Sequence, residues 1–410
     1  MRISTFGLTA CAAAAALTLS ACGSSGGGGG STSTSAAGGG TSTSAGSGGG
    51  ITAACKLTSP PKSVASAPSA SGSTAKATGK VGVILPDTTS STRYTLYDAP
   101  LLKQQLTAAG ITPDIQNAQN STAKFASIAQ SMIGEGVKVL IIDSIDAASG
   151  AGVEKQAAQA GVKVIDYDRV NLGGTAPYYV SFDNEEVGKL QAQTMVDCLN
   201  QNKVSNPRII MLDGGKDVDN NAVLFAKGAH EVLDPLAKQG KLKIVAEAVV
   251  KGWTNAPAAT FRQALSAANG QVDGVVAAND DLANAAIGEL KTTGLAGHVV
   301  ITGQDSQVEG LQNIINGLQS MTIFKNVKVE ATAAAQLAIA LINGTDPSAA
   351  GLKLTKFADP KLPSHNIQAL LLPAQVITQA NIDDVISTGL LTKAQVCQNV
   401  TAKCDALGVK

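Results

Sequence analysis

From Val81 onward, short runs of β-branched and aliphatic residues alternate with longer stretches whose apolar positions recur at helical spacing. The runs predict strands over residues 81–85, 111–116, 137–142, 162–167, 178–182, 208–212, 243–249, 272–277, 299–302 and 321–324. Ser121 reads as an N-cap, with Phe125, Ile128, Met132 and Ile133 on one face behind it, and Gly134 and Gly136 close that helix. Residues 184–199 and 327–342 carry the same kind of pattern. Strand–helix–strand alternation with crossovers of this length makes parallel sheets covered by helices, an α/β fold. The rhythm breaks once, where the strands at Val162 and Tyr178 are joined by a loop alone. That break reads as a crossing from one lobe to another.

The chain before Val81 has a different texture. Residues 1–21 read as a secretory signal, with Arg2 near the start and an apolar stretch over 8–19 too short to span a bilayer. Leu19-Ser20-Ala21-Cys22 resembles the bacterial lipobox, in which the cysteine becomes the lipid-modified first residue. From Gly23 to Gly50 no apolar side chain exceeds Ala, so burial cannot offset the entropy of ordering it. With Pro60, Pro61 and Pro68 the stretch 22–79 reads as a tether. About 330 residues remain, which suits two lobes better than one core. The expected division is 80–184 with about 305–345 in the first lobe, 185–304 with about 346–396 in the second, and 397–410 as a tail.

Charge narrows the function. The formal net charge is zero and charged residues make up 15% of the chain, without a basic stripe, so nucleic-acid binding has no support. Export permits disulfides. Past Cys22 there are four cysteines, which allow three pairings. Cys397 and Cys404 are close enough to close a small loop and are the favoured pair, which leaves Cys55 for Cys198. Neither spacing nor neighbouring histidines suggest a metal, and no cofactor is expected.

Polar residues stand just past the strands with regularity. Asp87, Asp143, Asp168-Arg169, Asp183-Asn184, Gly214-Gly215 with Asp219-Asn220-Asn221, Trp253, Asn279-Asp280, Gln304-Asp305 and Lys325 form the series. In open α/β sheets, ligands bind beyond the carboxyl ends of the strands. Asp and Asn at such positions also cap helices. Arg169, Trp253, Gln304 and Lys325 are poor caps, so capping does not explain the set. Two such rims facing each other suit a polyhydroxylated ligand: carboxylates accept from hydroxyls, Arg and Asn bind in pairs, and Trp covers an apolar ring face.

Taken in order, these motifs resemble the periplasmic sugar-binding proteins of ABC importers, of type I fold, and among them the D-xylose-binding proteins. The likeness runs from about Lys80 to Thr345. It is dense at Tyr167-Asp-Arg169, Tyr179-Val-Ser-Phe-Asp-Asn-Glu-Glu-Val-Gly-Lys-Leu-Gln-Ala192 and Val218-Asp-Asn-Asn-Ala222, and continues at Gly252-Trp253, Ala278-Asn-Asp280, Gly303-Gln-Asp305 and Met321-Thr-Ile-Phe-Lys325. The resemblance implies two lobes joined by a hinge. It implies that Arg93, Asp168, Arg169, Asn184, Asn221, Asn279, Asp280, Asp305 and Lys325 hold the sugar, with Tyr94 and Trp253 as stacking surfaces. The chain departs from the pattern after Trp253, where Asn255 sits closer than the family's Asn and Pro257 follows.

The expected function is that of a lipid-anchored, monomeric, extracytoplasmic receptor. It would close around one monosaccharide, xylose or similar, and deliver it to an ABC permease and its ATPase. A sugar receptor for signalling or chemotaxis would look the same in sequence. A secreted glycosidase is the rival from another class, since paired carboxylates are present. Against it, the three histidines, His230, His298 and His365, stand at no strand end, and G-x-S-x-G, H-E-x-x-H and P-loop motifs are absent. A transcriptional regulator's effector domain shares the fold, but no helix-turn-helix precedes Val81.

Overall fold

The computed structural model describes residues 51–57, 59–61 and 76–410. The signal segment, Cys22 and most of the tether lie outside the described residues.

The first lobe opens with β1 (Lys80–Leu85), buried from Val81 on. A π-helical turn (Tyr94–Asp98) runs into α1 (Ala99–Ala108), followed by β2 (Thr112–Asn117), α2 (Thr122–Gly134), β3 (Val139–Ile142), α3 (Ala147–Gln159), β4 (Lys163–Tyr167) and β5 (Tyr178–Phe182). Side chains of Ser121 and Asp146 cap α2 and α3. All five strands run parallel.

The loop between β4 and β5 is not the crossing that the sequence suggested. The two strands are paired neighbours, with Ile165 beside Tyr178. Side-chain carboxylates hold the connection in place of a helix. Asp166 accepts from the Asn171 backbone at 2.8 Å, Asp359 accepts from the Gly173 backbone at 2.7 Å, and Glu154 accepts from the Thr175 and Ala176 backbones. The chain crosses one strand later, at Asp183.

The second lobe runs through α4 (Asn184–Gln201), β6 (Arg208–Asp213), α5 (Asn220–Lys238), β7 (Lys243–Val249), α6 (Pro257–Ala267), β8 (Gly274–Ala277), α7 (Asp280–Thr292), β9 (Val300–Ile301), α8 (Val308–Asn316) and β10 (Thr322–Phe324). Its sheet has the order β7-β6-β8-β9, and a bridge between Gln304 and Ile323 brings β10 alongside. Helices α4 and α5 approach backbone to backbone: a Cβ at Gly188 would stand 2.0 Å from the Phe225 carbonyl oxygen.

The chain then returns to the first lobe through α9 (Val327–Ile342), β11 (Thr355–Ala358) and β12 (Asn366–Leu372). β12 pairs parallel with β5 and β11 antiparallel with β12, giving the order β11-β12-β5-β4-β3-β1-β2. A last crossing leads to β13 (Gln375–Ile377), antiparallel to β10, and to α10 (Asp383–Ser387), α11 (Lys393–Val396) and α12 (Thr401–Leu407). Cys397 and Cys404 pack with Leu311 and Ile314 of α8 in one apolar cluster, which places the tail on the second lobe. The expected division is corrected accordingly. Residues 305–324 go with the second sheet rather than the first, and β11 and β12 go with the first rather than the second.

Within residues 76–410, three segments therefore join the lobes, at Asp183, at Lys325-Asn326 and at Pro373-Ala374. The Asp183 N–H donates to the Leu372 carbonyl at 3.1 Å, so two of them are tied side by side. Cys397 is bonded to Cys404, and Cys55 to Cys198. The second bond fixes residues 51–57 on the second lobe, where the Ala53 N–H donates to the Gly297 carbonyl at 2.9 Å and the Thr52 N–H to Asn202 Oδ1 at 3.0 Å. Lys76 and Ala77 lie on the first lobe, where the Ala77 N–H donates to the Ala109 carbonyl at 3.0 Å.

Candidate functional site

The carboxyl ends of β1 and β4 face those of β6 and β8 across a cleft. Lining it are Ser90, Ser91, Arg93, Tyr94, Asp168 and Arg169 from the first lobe. Asp219, Asn221, Phe225, Trp253, Asn279, Gln304 and Asp305 come from the second, and Lys325 from the hinge.

Asp168 is the centre of charge. Its carboxylate lies 3.2 Å from Arg93 Nη1 and 3.8 Å from Lys325 Nζ, and it accepts from the Tyr94 hydroxyl at 3.2 Å. Burial opposes its ionisation, but Arg93, Lys325 and Arg169 outweigh that and hold the carboxyl down at about 2. Lys325 is also 3.5 Å from Asp305. Burial alone lowers its ammonium, yet Asp168 and Asp305 prevail and raise it. Both groups are thus charged at neutral pH.

Arg93 is anchored from behind. Its Nε and Nη2 donate to the two oxygens of Asp98 at 2.8 and 2.7 Å, a bidentate pair, and Nη2 also meets Glu330. The Tyr167 hydroxyl completes Asp98. Such a guanidinium presents only its remaining edge to the cleft. Burial pushes the Glu330 carboxyl up to about 8, against the pull of Arg93.

Arg169 works differently. It donates to the Ser144 carbonyl and to Ser90 Oγ, both at 3.2 Å, and to the Tyr94 hydroxyl at 3.3 Å. Its Nε lies 3.4 Å from Asp219 across the cleft and 3.7 Å from Asp143, without a hydrogen bond of its own. Burial raises the Asp219 carboxyl despite Arg169.

Trp253 fills the cleft from the side of β7. Its indole N–H donates to Asp219 at 3.1 Å and its ring meets Phe225 edge-on at 6.4 Å. Gly214 makes that possible, since a Cβ there would stand 2.1 Å from the indole ring. Asp168, Trp253 and Asp305 all have positive φ, at 59°, 67° and 94°. Such backbone conformations are costly for residues other than Gly and concentrate at functional sites.

Two of the expected site residues stand apart from this cleft. Asp280 accepts from Gln319 at 2.8 Å, the Gln307 backbone at 2.9 Å and Thr322 at 3.1 Å, which braces the β9–β10 region from inside. Gly303 and Gly310 leave the room for it. Asn184 donates to Asn221 at 2.8 Å, and Asn221 in turn donates to the Asp168 carbonyl at 2.9 Å, so Asn184 sits one layer back. The other nine line the cleft, and Asn279 also caps α7. Asp219 and Gln304 are additions to the expected set. Asp219 reads in sequence as the cap of α5, which it also is. Gln304 Oε1 is buried without a hydrogen-bond partner. Asn255 lines an adjoining cavity toward the solvent.

Contacts between the lobes draw the cleft tight, leaving about 20 Å³ of free space, room for about one water. Fixed cations, carboxylates and an indole converge there without a histidine or cysteine, a set suited to holding hydroxyls.

The chain is similar to known proteins. Residues 81–346 match the model of the periplasmic binding protein domain. The D-xylose-binding periplasmic protein of Escherichia coli (strain K12) is 38% identical over 253 residues, 62% of this chain and 75% of that protein. Its counterpart in Haemophilus influenzae is 34% identical over 301 residues, 73% of this chain and 87% of that one. A carbohydrate transporter solute binding protein from Chloroflexus aurantiacus, solved in complex with D-glucose, superposes with a TM-score of 0.69 at 27% identity, covering 78% of this chain and 98% of that chain. The chain belongs to the periplasmic binding protein family, among the sugar-binding proteins of ABC transporters that include the D-xylose-binding proteins.

Proposed function

We propose that this protein binds one monosaccharide, D-xylose or a sugar of similar shape, between its lobes and hands it to a membrane permease. The observation that carries the reading is the meeting of Asp168, Arg93, Lys325, Arg169, Asp219 and Trp253 at one point between two hinged lobes. Asp168 and Asp219 accept from sugar hydroxyls, Arg93, Arg169 and Lys325 donate to hydroxyl or ring oxygens, and Trp253 covers an apolar ring face. Arg169 to Asp219, and Asn221 to the Asp168 carbonyl, are contacts between lobes that the sugar would take over. The lobes open, the ring enters, and its hydroxyls bridge both rims, so ligand favours closure by its differential contacts. A pentose of about ten heavy atoms at micromolar Kd needs about 0.8 kcal/mol per atom, within the range of small ligands. In this reading Cys22 is lipidated and holds the receptor at the membrane.

A thermal-shift screen over pentoses, hexoses and polyols names the sugar, because a ligand of the folded state raises Tm. Titration calorimetry of Asp168→Ala and Arg169→Ala then tests the site. At least a tenfold loss of affinity is expected in each, and wild-type affinity in both would overturn the assignment.

A further inference from the structure

The cleft has two unlike ends. Toward Ser90, Arg169 and Trp253 it adjoins a cavity of about 290 Å³ walled by Asp87, Asn120, Asp217 and Lys251, a charged and polar mouth. Toward the hinge it adjoins another cavity, also about 290 Å³, whose apolar walls are Leu96 and Tyr97 of the first lobe, Phe324 and Val327 on either side of the hinge, and Leu390 and Leu391 between α10 and α11. Ser91, Arg93, Asp305 and Lys325 line both this second cavity and the cleft. Leu96 lies at its rim with 59% of its surface exposed, one of few large apolar side chains so exposed among the described residues.

We infer that the hinge-side cavity receives an apolar aglycone, aryl or short alkyl, of a glycoside whose sugar ring occupies the cleft. The inference rests on the sugar-binding reading and extends it from free sugars to glycosides. Continuity and lining favour this occupant: a group leaving the ring past Arg93 and Lys325 meets Leu96, Phe324 and Leu391. Thr92, Ser306, Gln307 and Glu309 also line the cavity, but a further sugar unit would set hydroxyls against its apolar side. Size agrees, since an apolar cavity of about 150 Å³ already holds benzene. Leu390 and Leu391 supply one wall, so the stretch between α10 and α11 acquires a part in recognition.

The test compares D-xylose and D-glucose with their methyl and p-nitrophenyl glycosides, both anomers, by titration calorimetry. For one anomer the p-nitrophenyl glycoside should bind at least about tenfold tighter than the methyl glycoside, about 1.4 kcal/mol. Leu96→Asp and Leu390→Asp, on opposite walls and outside the cleft, should each remove that gain and leave the free sugar's affinity as in wild type. Aryl glycosides that bind no better than methyl glycosides, while the free sugar binds, would overturn the inference alone. A gain that survives both substitutions would overturn it as well, by placing the aryl group elsewhere. If neither sugar nor any glycoside binds, the sugar reading itself fails for these probes and the inference falls with it.

Discussion

Arg169 of the first lobe and Asp219 of the second face each other across the cleft, guanidinium Nε to carboxylate at 3.4 Å. Asp219 also receives the indole N–H of Trp253 at 3.1 Å. One carboxylate therefore meets both a cation and the Trp253 indole. Asp219→Ala should leave the buried Trp253 N–H without its partner and Arg169 without a counter-charge across the cleft, and weaken sugar binding by about 1–3 kcal/mol, roughly tenfold to hundredfold. Calorimetry reads the loss, and unchanged affinity would remove Asp219 from the site.

Trp253 is the only tryptophan in the chain and lies in the cleft wall. Its emission should therefore shift or quench on adding sugar, with a midpoint equal to the calorimetric Kd. Trp253→Phe should abolish the signal and weaken binding, because the ring shrinks and the N–H to Asp219 is lost. An emission spectrum blind to a sugar that calorimetry detects would place that sugar away from the indole.

Glu330 gives stability a pH dependence of definite sign. Its folded-state carboxyl is raised to about 8 from an ordinary value of 4.5, chiefly by burial. The stabilisation is complete below the unfolded value and is lost as pH rises through the folded one. Asp213 and Asp281, raised to about 6, act in the same direction over a lower window. Wild-type Tm should fall between about pH 6 and 8, and Glu330→Gln should flatten that limb. Parallel Tm profiles for the two proteins would refute the role of Glu330.

Membrane attachment should depend on one thiol. Cys22→Ser is expected to block lipid labelling and leave the protein soluble or unprocessed. A variant that still partitions with membranes would exclude the lipobox reading.

The strands that sequence predicted best are those buried on both faces, such as β3, where four apolar residues in a row have one reading. β11 escapes because Thr355–Ala358 is largely exposed, so no apolar alternation marks it. The β4–β5 loop misleads because periodicity shows that two strands are close in sequence, not that they share a sheet. That information lies in long-range pairing. The two displaced site residues share one cause. Asn184 and Asp280 are each the first residue of a helix, one step beyond the caps Asp183 and Asn279. A helical step turns the side chain by about 100°, so two neighbours in one motif point to different surroundings. Asn279 reaches the cleft, while Asp280 turns toward Gln319. Glu330 and Asp98 were invisible for another reason: they matter through Arg93, and a single sequence does not show which distant carboxylates will surround a guanidinium.

The bond between Cys55 and Cys198 has a mechanical side. The first strand of the fold belongs to the first lobe, but the residues that dock before it, 51–57, are stapled to the second. A pull from the N-terminal side of Ile51 is therefore borne by the second lobe without passing through Asp183, Lys325 or Pro373. Were the chain held from that side, as the lipidation of Cys22 would have it, the second lobe would be the mount and the first the moving jaw.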